Sequence, residues 1–166
     1  MCGICGLLAT RPGGIVDPHV VEGMVHALRH RGPDDQGLAT DPSGRAVLAA
    51  ARLSIIDLAG GHQPLSNEDG SIWASQNGEI YNHAALRAEL SARGHRFRSL
   101  GDTEVLAHAY EEWGLAFVER LRGMFAIALW DAPRGRLVLV RDRMGVKPLV
   151  YGEHDGRLGW ASEIKA

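Results

Sequence analysis

The chain has 166 residues, 45% of them hydrophobic and 23% charged, values of a globular domain rather than a disordered segment or a coiled coil. Its 18 Lys and Arg against 20 Asp and Glu leave a net charge of -2, with no basic run to meet nucleic acid or an anionic membrane surface. No apolar stretch approaches the length that crosses a bilayer, and Arg11, Pro12 and Asp17 interrupt the start before a secretory signal can form. The two cysteines, Cys2 and Cys5, make no disulfide framework, so a reducing, cytoplasmic setting is expected.

In chain order, "CGICGLLA" over residues 2 to 9 is short and apolar, and the "RPGG" turn closes it, which predicts a buried strand. A helix is expected from Pro18, with Val21, Met24, Val25 and Leu28 on one face, broken at Gly32 and Pro33. Two strands flank "DPSG", the second being "RAVLAAARLSI". Residues 57 to 70 are rich in turn formers and read as loop. "SIWASQNG" predicts the next strand, Asn82 the N-cap of "HAALRAELSARG", and Gly94 its stop. A second long helix begins at "GDTE", where Val105, Leu106, Ala109, Tyr110 and Trp113 form a stripe. Strands "MFAIALWD" and "RLVLVRD" follow, then a hairpin with Asp155-Gly156 at its tip, and "ASEIKA" reads as the first turn of another helix. The strands cluster rather than alternate with helices, which argues for one α+β domain over residues 1-166, built on antiparallel sheets.

Cys2 is the first chemical candidate. A thiol is weakly nucleophilic at its free pKa of about 8.5 and needs a base. With Met1 removed, as the small residue at position 2 predicts, Cys2 carries its own α-amine, whose ordinary pKa is about 7.7 to 8.0. The nucleophile then brings its base with it, and Gly3 is expected to let a substrate approach. Cys5, three residues along the strand, points to the opposite face and reads as packing. Buried packing is also the bland alternative for Cys2, and a redox C-x-x-C is a third. A metal is not expected: "CGIC" has no second C-x-x-C, and His26 and His30 lack the Glu between them that an H-E-x-x-H site needs. Asn77 and Gly78 in "NGEIYN" offer a side-chain NH2 and a backbone N–H suited to an oxyanion hole, or simply a turn. Arg52, placed at a strand edge, is able to clamp a carboxylate or to stay a solvated charge. Asp102 is able to hold an ammonium group or to cap a helix.

Taken together, "MCGICG", "HRGPDDQG", "RLSIIDL" with "GHQPL", "NGEIYNH", "DTEVLAHAYEEWG", "GMFAIALWD", "RDRMGVKP" and "ASEIKA" resemble the class II glutamine amidotransferases, specifically the glutaminase domain of asparagine synthetases. The resemblance implies an N-terminal-nucleophile hydrolase fold, a four-layer αββα sandwich of two antiparallel sheets. It implies glutamine hydrolysis through a Cys2 thioester, with Asn77 and Gly78 on the oxyanion, Arg52 on the substrate α-carboxylate and Asp102 on its α-ammonium. Glu79 and the backbone near Ile55 are implied to line the pocket. No cofactor is implied for this domain. ATP and Mg2+ are implied for a C-terminal synthetase domain that receives the ammonia, whose Ser-Gly-Gly-x-Asp-Ser loop is absent from these residues; a homodimer is implied as well. A non-catalytic relative retained for binding or assembly is the competing class, although Cys2 and Asn77 are both intact.

Overall fold

A computed structural model describes residues 2–55, 57 and 60–166. Along the chain run β1 (Gly3–Ala9), α1 (Pro18–Ala27), β2 (Asp35–Thr40), β3 (Ala46–Arg52), β4 (Leu65–Ser66), β5 (Ile72–Ile80), α2 (His83–Ala92) and α3 (Glu104–Trp113). A 3-10 turn at Gly114–Ala116 leads into α4 (Phe117–Arg120), followed by β6 (Gly123–Asp131), β7 (Arg136–Arg141), β8 (Val150–His154) and β9 (Arg157–Ala161). The strands form two sheets, in the orders β2-β3-β1-β9-β8 and β4-β5-β6-β7. Every pairing is antiparallel.

The two-residue period of a strand turns this pairing into layers. In β3, Val47, Ala49 and Ala51 pack with Val21, Val25 and Leu28 of the α1 region, while Ala46, Leu48 and Ala50 face the other way. In β6, Phe125, Ile127 and Leu129 pack with Leu86 and Leu90 of α2 and Val105 and Leu106 of α3. Ala126, Ala128 and Trp130 of the same strand meet Ile4, Leu48 and Trp160 of the first sheet. Three apolar cores therefore separate four layers, α1, first sheet, second sheet, and α2 with α3, which is the αββα sandwich.

Where expectation and structure differ, the reasons are local. The 57–70 stretch contains β4, which pairs Leu65 and Ser66 with Ala74 and Trp73. Asn82 is the N-cap residue of α2, as expected, its carbonyl accepting from Leu86 N–H at 3.1 Å, but its side chain makes no capping bond: its Nδ2 donates to the Arg120 carbonyl at 2.9 Å and its Oδ1 accepts from Arg122 N–H at 2.9 Å, tying α2 to the chain entering β6. Residues 162–166 leave β9 as bends and one turn, with Ala166 N–H on the Glu163 carbonyl at 3.3 Å, while Ser162 is tied to β1, its N–H on the Ile4 carbonyl at 2.8 Å and its Oγ accepting from Ile4 N–H at 3.0 Å. The Asp155-Gly156 hairpin tip is as expected, with both residues at positive φ, 47° and 71°.

Candidate active site

All seven residues singled out above, Cys2, Arg52, Ile55, Asn77, Gly78, Glu79 and Asp102, line one cleft of about 150 Å3. It lies where the start of β1, the end of β3 and the end of β5 meet the N-terminus of α3. That size suits one small molecule and is below the roughly 300–1,000 Å3 of sites for larger ligands.

Cys2 is half-buried at the open end of β1, its Sγ 3.8 Å from the Leu53 carbonyl. Cys5 faces the α1 layer, fully buried, and burial pushes its thiol up to about 12. The two cysteines thus sit on opposite faces of one strand. Gly3 differs from its expected role: a Cβ there would lie 2.9 Å from Leu28 Cβ, so its smallness serves the packing of α1 on β1, not access of a ligand.

The second sheet brings Asn77 to Cys2. Asn77 lies on the inward face of β5 and is fully buried. Its amide is assigned the orientation that satisfies both neighbours: Nδ2 donates to the Cys2 carbonyl at 2.9 Å, and Oδ1 accepts from Arg31 Nη2 at 3.3 Å. Gly78 follows at φ 149°, and a Cβ there would stand 2.0 Å from the Met124 carbonyl, so only glycine lets β5 approach β6 at this point. Gln76 also lines the cleft, and its buried amide atoms have no hydrogen-bond partner. Nothing in the sequence distinguishes it from an ordinary strand residue.

Arg31 is the main residue that the sequence reading missed. Its Nε donates to the Cys2 carbonyl at 3.0 Å and its Nη1 to Glu163 Oε1 at 2.8 Å, so with Asn77 it engages three groups from three separate motifs. Glu163 also meets His30 at 3.0 Å and Lys165 at 3.3 Å. The bonds from Arg31 and His30 hold the Glu163 carboxyl down at about 2. "HRGPDDQG" and "ASEIKA", which suggested no chemistry singly, are the two ends of this brace behind Cys2.

Also lining the cleft, Arg52 ends β3, an interior strand of its sheet, and is only 6% exposed, rather than a surface charge at a sheet edge. Its Nη2 donates to the Asp57 carbonyl at 2.7 Å. A Cβ on Gly61 would fall 2.2 Å from that nitrogen, so glycine is required for the guanidinium to lie where it does. The Asp57 carboxylate accepts from Leu100 N–H at 2.7 Å and Gly60 N–H at 2.9 Å, and these bonds hold it below the usual carboxylate range. Asp57 so connects the Arg52 side of the cleft to the segment before α3. Asp102 lies on that segment, 7% exposed, with Oδ2 accepting from Ile80 N–H at 2.9 Å. The N-cap position of α3 belongs to Thr103, not to Asp102. Ile55 is 73% exposed at the rim. Lys147 lines the floor, fixed by Asp142. Burial works against ionisation of Asp142, but backbone N–H groups of Lys147, Val146, Phe125 and Met144 outweigh it and keep the carboxyl below its usual range. The cleft thus presents a thiol together with the cations Arg52 and Lys147 and the carboxylates Glu79 and Asp102, a pattern suited to a zwitterion. Met1, and with it the state of the Cys2 α-amine, lies outside the described residues.

Comparison with known proteins accords with this arrangement. The family described as "Glutamine amidotransferase domain" matches residues 1–166. The chain is 46% identical over 168 residues to "Asparagine synthetase [glutamine-hydrolyzing] 2" of Bacillus subtilis (strain 168), covering all of this chain and 22% of that protein. It is 44% identical over 167 residues to "Asparagine synthetase [glutamine-hydrolyzing] 3" of Arabidopsis thaliana, covering all of this chain and 28% of the relative. The chain therefore spans only about a quarter of these relatives. Among solved structures, the glutamine phosphoribosylpyrophosphate amidotransferase of B. subtilis superimposes with a TM-score of 0.75 at 23% identity, over 98% of this chain and 42% of that one. That likeness supports the fold.

Proposed function

Since the chain belongs to the family of glutamine amidotransferase domains, we propose that its cleft hydrolyses L-glutamine with Cys2 as the nucleophile. The observation that carries this reading is the convergence of Cys2, Arg52, the Asn77-Gly78 pair and Asp102 on one small cleft from four separate stretches of chain. With Met1 removed, the Cys2 α-amine takes the thiol proton, and Sγ forms a bond to the side-chain amide carbon of glutamine. Negative charge then develops on the amide oxygen. An Asn NH2 has two donors; that of Asn77 spends one on the Cys2 carbonyl and has the second for the oxyanion, beside the Gly78 N–H. The ammonium at the N-terminus returns the proton to the amide nitrogen, the C–N bond breaks, ammonia leaves, and water hydrolyses the thioester to glutamate. Each oxyanion donor is worth about 10² to 10³ in rate.

Arg52 takes the substrate α-carboxylate and the oxygen of Asp102 not bound to Ile80 takes the α-ammonium, with Glu79 and the Ile55 backbone completing the walls. The ammonia passes to an ATP- and Mg2+-dependent synthetase segment that amidates aspartate, a reading supported by the names of the relatives and by the additional length they carry. A cytoplasmic homodimer is part of the same proposal. The test is glutamate release from glutamine by the protein with its mature terminus at Cys2, against Cys2→Ala. Release that is abolished by the substitution supports the proposal; no release by the wild-type protein refutes it.

A further inference from the structure

Outside the cleft, four side chains from three segments converge on one point: Glu68 after β4, His95 after α2, and His108 with Glu111 on one face of α3. The geometry points to a structural site for one divalent transition metal of the zinc class, with these four residues as its ligands.

One ligand atom from each residue lies within 4.8 Å of all the others. His95 Nδ1 and His108 Nδ1 face each other at 3.2 Å, and Glu68 Oε2 is 3.4 Å from His108 Nδ1. Glu68 Oε1 and Glu111 Oε2 lie 3.7 and 3.8 Å from His95 Nδ1. Ligands about 2.0–2.1 Å from a tetrahedral zinc are separated from one another by about 3.3–3.4 Å; the His95–His108 and Glu68–His108 spacings match this, and the wider ones, none above 4.8 Å for one atom per residue, would close as the exposed Glu68 and Glu111 carboxylates turn inward.

The outer contacts fit the same assignment. A metal-ligating imidazole ordinarily turns its other ring nitrogen toward a carboxylate. His95 Nε2 meets Glu112 Oε2 at 3.4 Å, and His108 Nε2 lies 3.7 Å from Glu104 Oε1. In the tautomers that carry the proton on Nε2, both Nδ1 atoms present lone pairs 3.2 Å apart, which a cation between them would satisfy; His108 Nε2 is buried without a hydrogen bond, so only its approach to Glu104 favours that tautomer. Asn67 Nδ2 holds Glu111 Oε2 at 3.1 Å and Arg96 N–H holds Glu68 Oε1 at 2.6 Å, while His108 is fully buried against Phe97. Glu68 and Glu111 are exposed, which gives an ion access from solvent.

A proton shared between the two rings is the competing occupant. It would satisfy both Nδ1 atoms with a single positive charge, whereas four carboxylates, Glu68, Glu104, Glu111 and Glu112, surround the two rings, an excess of negative charge that a divalent ion matches better. Four protein ligands leave no open position, so the role is structural. The ion would tie α3, which begins beside Asp102, to the turns at Glu68 and His95.

The test uses untagged, chelator-stripped protein in a Cys2→Ala background, so that the reactive thiol does not compete for metal. Zn2+ is titrated calorimetrically, and Co2+ is followed by its visible ligand-field absorption. One equivalent of each should bind. At a free Zn2+ concentration 100 times the dissociation constant, the folding equilibrium should shift about 100-fold, a rise in the thermal midpoint of roughly 5–11 °C. Glu68→Gln and Glu111→Gln change exposed residues and should leave the fold intact while weakening binding at least tenfold each. Absence of stoichiometric binding, or equal binding by the Glu68→Gln/Glu111→Gln double variant, would overturn the assignment and leave the shared proton as the occupant.

Discussion

Replacing Arg31 with Met removes the brace behind Cys2 without altering any residue that lines the cleft. Three bonds go: to the Cys2 carbonyl at 3.0 Å, to Glu163 at 2.8 Å and to Asn77 Oδ1 at 3.3 Å. They are not equal. Glu163 is partly exposed and keeps His30 and Lys165, so that loss contributes little. The Cys2 carbonyl keeps Asn77 Nδ2. Asn77 Oδ1, fully buried, loses its donor, and an orphaned buried acceptor costs about 1–3 kcal/mol. With the residual from the other two, the total is about 2–4 kcal/mol, a fall in the thermal midpoint of roughly 4–16 °C. Catalysis should suffer more. A nucleophile displaced by about 1 Å costs on the order of 10²-fold, and the terminus would then rest on a single amide bond. Glutamate release measured across glutamine concentrations should show kcat falling 10- to 100-fold with KM changed far less, because Arg31 does not reach the substrate. Arg31→Lys should fall between, since an ammonium cannot serve three acceptors in a plane. A folded Arg31→Met protein with kcat within about twofold of wild type would refute the positioning argument.

Gly61→Ala would place a Cβ 2.2 Å from Arg52 Nη2 and displace the guanidinium, so the KM for glutamine should rise about 10- to 100-fold with a smaller change in kcat; an unchanged KM would remove Arg52 from the carboxylate site. Gly78→Ala would press a Cβ against the Met124 carbonyl at 2.0 Å and part β5 from β6, costing more than about 2 kcal/mol in chemical denaturation; wild-type stability would contradict the described register. Glu163 is held at about 2 against an ordinary 4.5. Its folded-state pKa is depressed, so it stabilises the fold fully above its unfolded pKa, and that stability is lost as pH falls from about 4.5 through about 2. Glu163→Gln should flatten stability across that window, and an unaltered acid limb would show that the Arg31 and His30 contacts carry no linkage.

The strands and main helices were legible because their apolar patterns are local. "MFAIALWD" announced a buried strand, and its alternation of Phe125, Ile127 and Leu129 with Ala126, Ala128 and Trp130 encodes the two cores it serves. The strand orders were not legible, since the pairing of β1 with both β3 and β9 joins residues up to about 150 positions apart and no local signal carries it. The layer order came only through resemblance. For the cleft, residue chemistry marked Cys2, Asn77 and Arg52 but left each with a bland alternative, and their convergence on one cleft is what supports the proposed roles. Asp102 shows why: the same carboxylate before a helix suits a cap or a ligand, and only its bond to Ile80 and the cap position of Thr103 separate the two. Arg31 and the Glu68, His95, His108 and Glu111 cluster went unseen for a related reason. Their partners lie in other segments, so no spacing motif exists to find.

The account rests on Cys2 as a terminal nucleophile, and intact-mass and peptide analysis after incubation with an alkylating glutamine analogue tests it most directly. The protein should lack Met1 and carry one adduct, on Cys2, blocked by excess glutamine, while Cys5, buried with its thiol at about 12, stays unmodified. An adduct on Cys5, or none on a protein confirmed to begin at Cys2, would contradict it.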